Sequence, residues 1–470
     1  MTLHPPLICR RCGRSPETKE PRARCPNCGG LLEYHYREDY LRGVKFTGPL
    51  SFWRYRPLLP RVENLISLGE GGTPLHHSRR LGEALGLEKL YLKDESQNPT
   101  NSFRDRCASL IVSNAVDLGY DTLVAATTGN LGASLAAYSA RADLSCNLIV
   151  PRAVDMGKLA QMIAYDASIE EQGKSIDEAV EHAERLGRET GWYQASFELN
   201  PLGVEALKTI AFEIYEQIGI PDWVVAPMGS GGTIYALWKG FKELRTSGRA
   251  DSTPRLIGVQ AEGCSPIVGA FLKDEDRPLE IEEARTRALA IRVRRPAYGE
   301  VALEALRESG GAAVPIGDGE MLRMEMQLAQ LEGIFAEPAS SATVASLRVL
   351  LEKGVLDPSE TVVCLITSSG LKTTDILNTL SKRRKSLGLG YRLATKEKIL
   401  RAIEGGRTYG YDLWRRMGKR MTLGAIYQHL SELESRGLIT SYQEGKRRYF
   451  ELTTRGRNVL RALEELKSLL

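Results

Sequence analysis

Four cysteines near the start of the chain are spaced for a single task. Cys9-x2-Cys12 and Cys25-x2-Cys28 are two knuckles with twelve residues between them. Each turn aims two thiolates at one point, and two turns complete a tetrahedral sphere. The spacing therefore implies a structural Zn²⁺ with no coordination position left open for chemistry. Gly13 and Gly29 follow the knuckles and permit the tight backbone. Three further clusters are polar loops that follow apolar strands. NPTNSFRDR (98–106) places Arg104 where a helix opens. TTGN (127–130) follows TLVAA, and Thr127, Thr128 and the nearby amides can hold a carboxylate; alternatively Thr128 or Asn130 only caps a helix. GSGGT (Gly229, Ser230, Gly231, Gly232, Thr233) follows DWVVAPM. Its glycines let successive amides turn toward one anion, although such a loop is also a common structural turn.

The elements that must position these loops are legible in the pattern. The chain has 470 residues, 42% hydrophobic and 26% charged, ordinary values for a soluble globular protein of two to four domains. Short apolar runs (TLVAATTG, CNLIVP, DWVVAPMG, PRLIGVQA, TVVCLITS) alternate with stretches of helical period. That alternation implies an α/β fold with a mainly parallel sheet covered on both faces. No apolar run approaches the ~20 residues of a membrane span, and the first residues contain no signal-peptide core. The expected setting is cytoplasmic, without membrane contact. The other cysteines (Cys107, Cys146, Cys264, Cys364) stand alone in apolar contexts, which suits a reducing compartment. Four segments follow: 1–35, Cys-rich; 36–380, α/β; 381–394, a basic Gly-bearing linker; and 395–470. Over 396–470 there are 16 Lys/Arg and 9 Asp/Glu, a local charge near +7 in a chain of net +4, so basic charge is concentrated at the C-terminal end.

The motifs LGEGGTPL, LKDESQNPTNSFRDR, TTGNLGASLAAYSAR, GKLAQMIAYDAS, NPLGVEALKTIAFEI, PMGSGGT, EPASSATVASL and ITSSGLK fall in order over about residues 65–380. Together they resemble the fold-type-II pyridoxal-phosphate enzymes, tryptophan synthase beta-like in scaffold, and among them the threonine synthases, some of which also carry an N-terminal zinc ribbon. The resemblance implies a two-lobed α/β scaffold holding pyridoxal 5'-phosphate. It implies that Gly229–Thr233 cradle the cofactor phosphate, that Asn130 bonds its phenolic oxygen, and that Thr367 faces the pyridine nitrogen, unless Thr367 only satisfies local backbone at its strand end. Thr127, Thr128 and Asn200 are then the substrate-binding positions.

One position departs from the family. Its motif is similar to NPTGSFKDR, and the lysine there makes the Schiff base; this chain has Arg104. An arginine stays protonated and its charge is delocalised, so it makes neither the Schiff base nor a proton shuttle. Lys93, Lys158, Lys208 and Lys372 are the candidates to stand in. Gly203 and Ala206 replace the Arg and Gly of a motif similar to NPxRxxGxKT, and Asn101 replaces a turn glycine. Arg104 is then a fixed cation against a ligand carboxylate or phosphate, or it merely pairs with Asp105 or another acid.

Residues 395–470 read as three helices, a β-hairpin turning at Gly445, and a last helix. YGYDL, AIYQHLSELESRGLI and RRYFELTTRGR resemble the PadR-like winged helix-turn-helix family. That resemblance implies double-stranded DNA as partner, with Thr422, Tyr427, Gln428 and Ser431 facing the major groove and Lys446, Arg447 and Arg448 on phosphates. RNVLRALEELKSLL suits pairing into a homodimer. The favoured reading is a catalytically impaired, ligand-responsive DNA-binding regulator whose ligand is an amino acid or phospho-amino acid, with the cofactor held non-covalently. The alternative is an active threonine synthase, converting O-phosphohomoserine to threonine and phosphate and autoregulated by its tail. A third reading is a structural relic without ligand.

Overall fold

The computed structural model describes residues 5–18, 20–373, 389–418, 421–445 and 447–468. The chain divides into two units, Met1–Thr374 and Asp375–Leu470. In the first, a six-stranded sheet runs in the spatial order Ala312–Ile316, Arg255–Ala261, Trp223–Pro227, Thr361–Ile366, Lys89–Asp94 and Leu75–His77. All neighbours are parallel except the last pair, Leu75–His77 against Lys89–Asp94. Trp223–Pro227 is buried at every residue. Val224 and Ala226 enter one apolar core while Trp223 and Val225 enter the other. This is the two-residue alternation of a strand covered on both faces, and it explains why the run reads as continuously apolar.

A second sheet, Ser168–Glu171, Ser145–Val150, Thr122–Ala126 and Tyr193–Gln194, is wholly parallel. The chain leaves the large sheet after Lys89–Asp94, builds this smaller sheet, and returns at Trp223–Pro227. The two lobes are thus one continuous excursion, and the loops at the C-terminal ends of strands from both lobes meet. Crevices outside strand C-termini are where open α/β sheets bind ligands. Buried charge ties the elements: Arg106 donates to Glu95 (2.7 Å) and Glu213 (2.6 Å), and Lys93 to Glu213 (2.7 Å), all fully buried. Removing one partner of such a set leaves an uncompensated buried charge, at a cost of about 3–5 kcal/mol.

The Cys-rich segment is a small antiparallel hairpin, Leu7–Cys9 with Leu32–Tyr34. It is fastened to the α/β body by Arg10 on Glu304 (2.5 Å), by Arg24 on the carbonyl of Ala297 (2.7 Å), and by the Tyr235 hydroxyl on Glu33.

In the second unit, helices Leu389–Glu404, Gly410–Arg416 and Leu423–Ser435 precede the hairpin Ile439–Glu444/Arg447–Leu452 and the helix Thr454–Ser468. Ile399, Leu413, Ile426, Leu430 and Phe450 form its core. Thr422 caps the third helix, accepting from the Ala425 amide (3.3 Å), and Gly445 turns the hairpin at φ +60°. One expectation is corrected here. The segment read as linker, 381–394, overlaps the helix Leu389–Glu404; residues 381–388 lie outside the described residues.

Candidate functional site

Arg104 opens the helix Arg104–Asp117. The preceding turn is set by Asn101, whose left-handed φ of +60° is one that Asn tolerates. Asp105 does not meet the guanidinium: it accepts from the Thr100 amide (2.7 Å) and hydroxyl (2.6 Å), and burial pushes its carboxyl up to about 6. The expected alternative, a plain Arg104–Asp105 pair, is therefore not what forms. The guanidinium instead lies over the ring of Phe197 (4.0 Å) and near that of Phe103 (4.8 Å). Its Nη1 is buried without a hydrogen-bond partner among the described residues.

Arg104 lines a pocket with Thr127, Thr128, Asn130, Gly229, Ser230, Gly231, Thr233, Glu198, Glu337 and Thr367. Ile176, Ile291 and Val293 supply apolar walls. Three expected groups thus come together: the TTGN loop, the glycine loop and Thr367. Gly232 is not on the lining. It stands behind, where a methyl group would lie 2.4 Å from the Phe197 ring. The helix Gly232–Thr246 starts from this loop, with Gly231 at φ +89°. First-turn amides of that helix and of Asn130–Ala142 lack intrahelical acceptors, so both helix starts present donors at the pocket.

Individual roles differ from expectation in places. The Thr127 hydroxyl accepts from the amides of Gly129 (3.0 Å) and Gly132 (2.9 Å), so Thr127, rather than Thr128 or Asn130, holds the helix start. Asn130 Nδ2 donates to both oxygens of Glu337 (3.1 and 3.0 Å). Thr367 Oγ1 pairs with Ser340 Oγ at 2.9 Å. Asn200 is corrected: it is fully buried and off the lining, donating to Tyr193 Oη (3.1 Å) and the carbonyl of Gln194 (2.9 Å) and accepting from the Leu202 amide (3.0 Å). Its side chain is spent on the turn into the helix Leu202–Ile218.

The stand-in lysines are all engaged. Lys93 is held by Glu213 (2.7 Å), and Lys208 by Glu205 (2.6 Å) and Glu243 (2.9 Å). Lys158 bonds Asp155 (2.8 Å) and Glu337 (3.2 Å). Lys372 donates to the carbonyl of Thr100 (2.7 Å), and burial lowers its ammonium to about 8. None of the four lines the pocket.

Phe197, Glu198, Glu337 and Ser340 were not singled out from the sequence. Glu337 and Ser340 sit in the quoted EPASSA motif, which carried a signal; Phe197 and Glu198 belong to no motif. Gly203 is explained by Phe197: a methyl group at position 203 would lie 2.5 Å from the ring. The ring occupies the room that any side chain at 203 would need.

A model of pyridoxal-phosphate dependent enzymes matches residues 66–368. The chain belongs to that family. Its curated relatives include the threonine synthases of Methanocaldococcus jannaschii (41% identical over 377 residues, 78% of this chain and 93% of that one) and Methanosarcina acetivorans (40% over 375 residues, 78% and 92%). The fold is shared with maize serine racemase (TM-score 0.58, 17% identical, 67% of this chain and 93% of that one) and with threonine deaminase isoform 2 of Solanum lycopersicum (TM-score 0.56, 20%, 65% and 86%). Residues 399–462 match the transcriptional regulator PadR-like family.

The residues on this lining fit pyridoxal phosphate. The amides and hydroxyls of 229–233 would take its phosphate, Thr367 with Ser340 its pyridine nitrogen, and Asn130 its phenolic oxygen. Bound there, the cofactor supplies an electron sink, and Arg104 supplies charge but no nucleophile.

At the N-terminus, the Sγ atoms of Cys9, Cys12, Cys25 and Cys28 all lie within 4.8 Å of one another. Gly13 and Gly29 have φ of +69° and +70°, and their amides donate to the carbonyls of Cys9 and Cys25 (2.9 Å each). These are the turns that aim four sulfurs inward. In the winged unit Thr422, Tyr427, Gln428 and Ser431 are exposed on the third helix. Arg447 lies 4.7 Å over Tyr409, and Arg448 is engaged by Glu434 (2.7 Å). Lys446 lies outside the described residues. Among the described residues no helix is long and apolar enough to cross a membrane.

Proposed function

We propose that this chain is a ligand-responsive DNA-binding regulator built on a threonine-synthase-like scaffold, with catalysis impaired. The observation that carries the reading is Arg104. It stands on the wall of the pocket where the family keeps its reactive lysine, and among the described residues no lysine lines that pocket. Covalent and proton-transfer steps are each worth orders of magnitude in rate, so their joint loss weighs more than the preserved scaffold. The ligand is pyridoxal phosphate with an amino acid, as two molecules or a pre-formed adduct. The exposed face of the third helix and the basic wing support double-stranded DNA as partner, and the helix Thr454–Ser468 supports pairing of two chains. A structural Zn²⁺ at the four cysteines completes the reading.

The test is reduction of the purified protein with borohydride in the presence of pyridoxal phosphate, followed by mass spectrometry for a phosphopyridoxyl-lysine. No labelled lysine, together with salt-sensitive binding to the gene's own upstream duplex, is the expected result. A labelled lysine with threonine formed from O-phosphohomoserine would sink the reading. The threonine synthase relatives, at up to 41% identity over most of their length, favour an active, tail-regulated threonine synthase as the second reading.

A further inference from the structure

Two opposite charges line the pocket without meeting. Arg104 is clamped against Phe197 and Phe103, and it makes no ion pair among the described residues. Glu198 is on the same lining, and apart from its own amide its carboxylate has no hydrogen-bond donor among the described residues. Burial pushes the Glu198 carboxyl up, the Arg104 charge opposes that shift, and Asp177 adds to it. Glu198 is half-buried, and its carboxylate remains free to accept from a cation on a ligand in the pocket. Beside it the wall is the ring of Phe197, which donates no hydrogen bond. That ring cannot be displaced toward the helix Leu202–Ile218 or the glycine loop without meeting Gly203 and Gly232, where even a methyl group would come within 2.5 and 2.4 Å of it. Arg104 already lies over that ring, so the acceptor left for a ligand here is the Glu198 carboxylate, which attracts an ammonium and repels a phosphate. The two loops that present amides, 127–130 and 229–233, are on the same lining and would take a ligand carboxylate and the cofactor phosphate.

We propose that Glu198 sets ligand choice in this pocket, selecting an amino acid that carries a second amino group and turning away one that carries a phosphate. The inference rests on the reading that the pocket holds an amino acid beside the cofactor. It names the ligand class: diamino acids of about four or five carbons, with the distal ammonium on Glu198.

The test is calorimetric titration of the full-length protein, loaded with pyridoxal phosphate, by three probes that share a four-carbon chain: L-2,4-diaminobutyrate, L-homoserine and O-phospho-L-homoserine. Diaminobutyrate is expected to bind at least about tenfold tighter than phosphohomoserine. Glu198→Gln is expected to weaken diaminobutyrate about tenfold or more while leaving homoserine within about threefold, which separates loss of a charge partner from general damage. Thermal unfolding of the variant checks its fold, and Glu198→Asp, which keeps the charge, should restore part of the preference. Phosphohomoserine binding as tightly as diaminobutyrate, or a variant with unchanged preference, overturns this inference alone. Failure of all three probes to bind overturns both it and the reading on which it rests.

Discussion

Arg104→Lys changes one side chain and returns to the pocket an amine that can lose its proton. Its effect on stability follows from the contacts. The substitution gives up a planar guanidinium over Phe197 and Phe103, contacts worth about 0.5–2 kcal/mol each in a desolvated setting. It also removes the buried, unpartnered Nη1, relieving a cost of about 1–3 kcal/mol. The lysine ammonium keeps part of the ring attraction, so the two changes should cancel to within about 1 kcal/mol, read as an unchanged midpoint in urea. The chemistry should change outright. On titration with pyridoxal phosphate the variant should gain a protein-bound visible absorbance that borohydride bleaches, retain cofactor through dialysis after reduction, and carry the label on the peptide containing residue 104. The wild type should lose its cofactor on dialysis with or without borohydride. If the variant binds cofactor but never labels at 104, that position is not aimed at the reactive carbonyl and the reasoning built on Arg104 fails.

Gly203→Ala should cost about 1–3 kcal/mol in urea unfolding, because the new methyl meets the Phe197 ring, and Phe197→Ala in the same chain should recover most of the Gly203 increment. Cys9→Ser should lower bound zinc from about one ion per chain toward zero by atomic absorption, since four thiolates share one point. Glu325 is held up to about 9 by burial and by the charge of Glu337, so it is protonated when folded and ionised when unfolded over about pH 4.5–9. Stability should therefore fall with rising pH through that window, and Glu325→Gln should be stabilising by up to a few kcal/mol at pH 8 and nearly neutral at pH 5, as measured by urea midpoints at the two pH values. Arg447→Ala should reduce the salt slope of DNA binding by about 1, whereas Arg448→Ala should reduce it less, because Glu434 already engages that guanidinium.

The strands named from the sequence are strands in the structure: TLVAA, CNLIVP, DWVVAPM, PRLIGVQA and TVVCLIT each carried enough buried apolar residues to be read. Ser168–Glu171 was not legible, because only Ile169 of SIEE is apolar on this outer edge. Tyr193–Gln194 is two residues long and depends on its partner Thr122–Ala126. The loops were legible because glycines and hydroxyls stand at strand ends. What each loop residue does was less so: Asn200 and Thr127 have side chains that serve a helix start equally well, and only three-dimensional neighbours show where their hydrogen bonds go. Phe197 and Glu198 could not be found by motif, since their importance comes from Arg104, 93 residues away in sequence and 4.0 Å from Phe197 in space.

The wedge of Phe197 between Gly203 and Gly232 has a bearing on which substitutions this pocket tolerates. An arginine at position 203 cannot be accommodated while the ring is there, and removing the ring first leaves a hole beside Arg104 and strips the guanidinium of its nearest support. A lysine at 104 alone would restore reactivity without restoring the neighbouring wall. Placing an arginine at 203 therefore also requires a change at Phe197, the ring on which Arg104 rests. The wedge thus links position 203 to position 104 through a single ring.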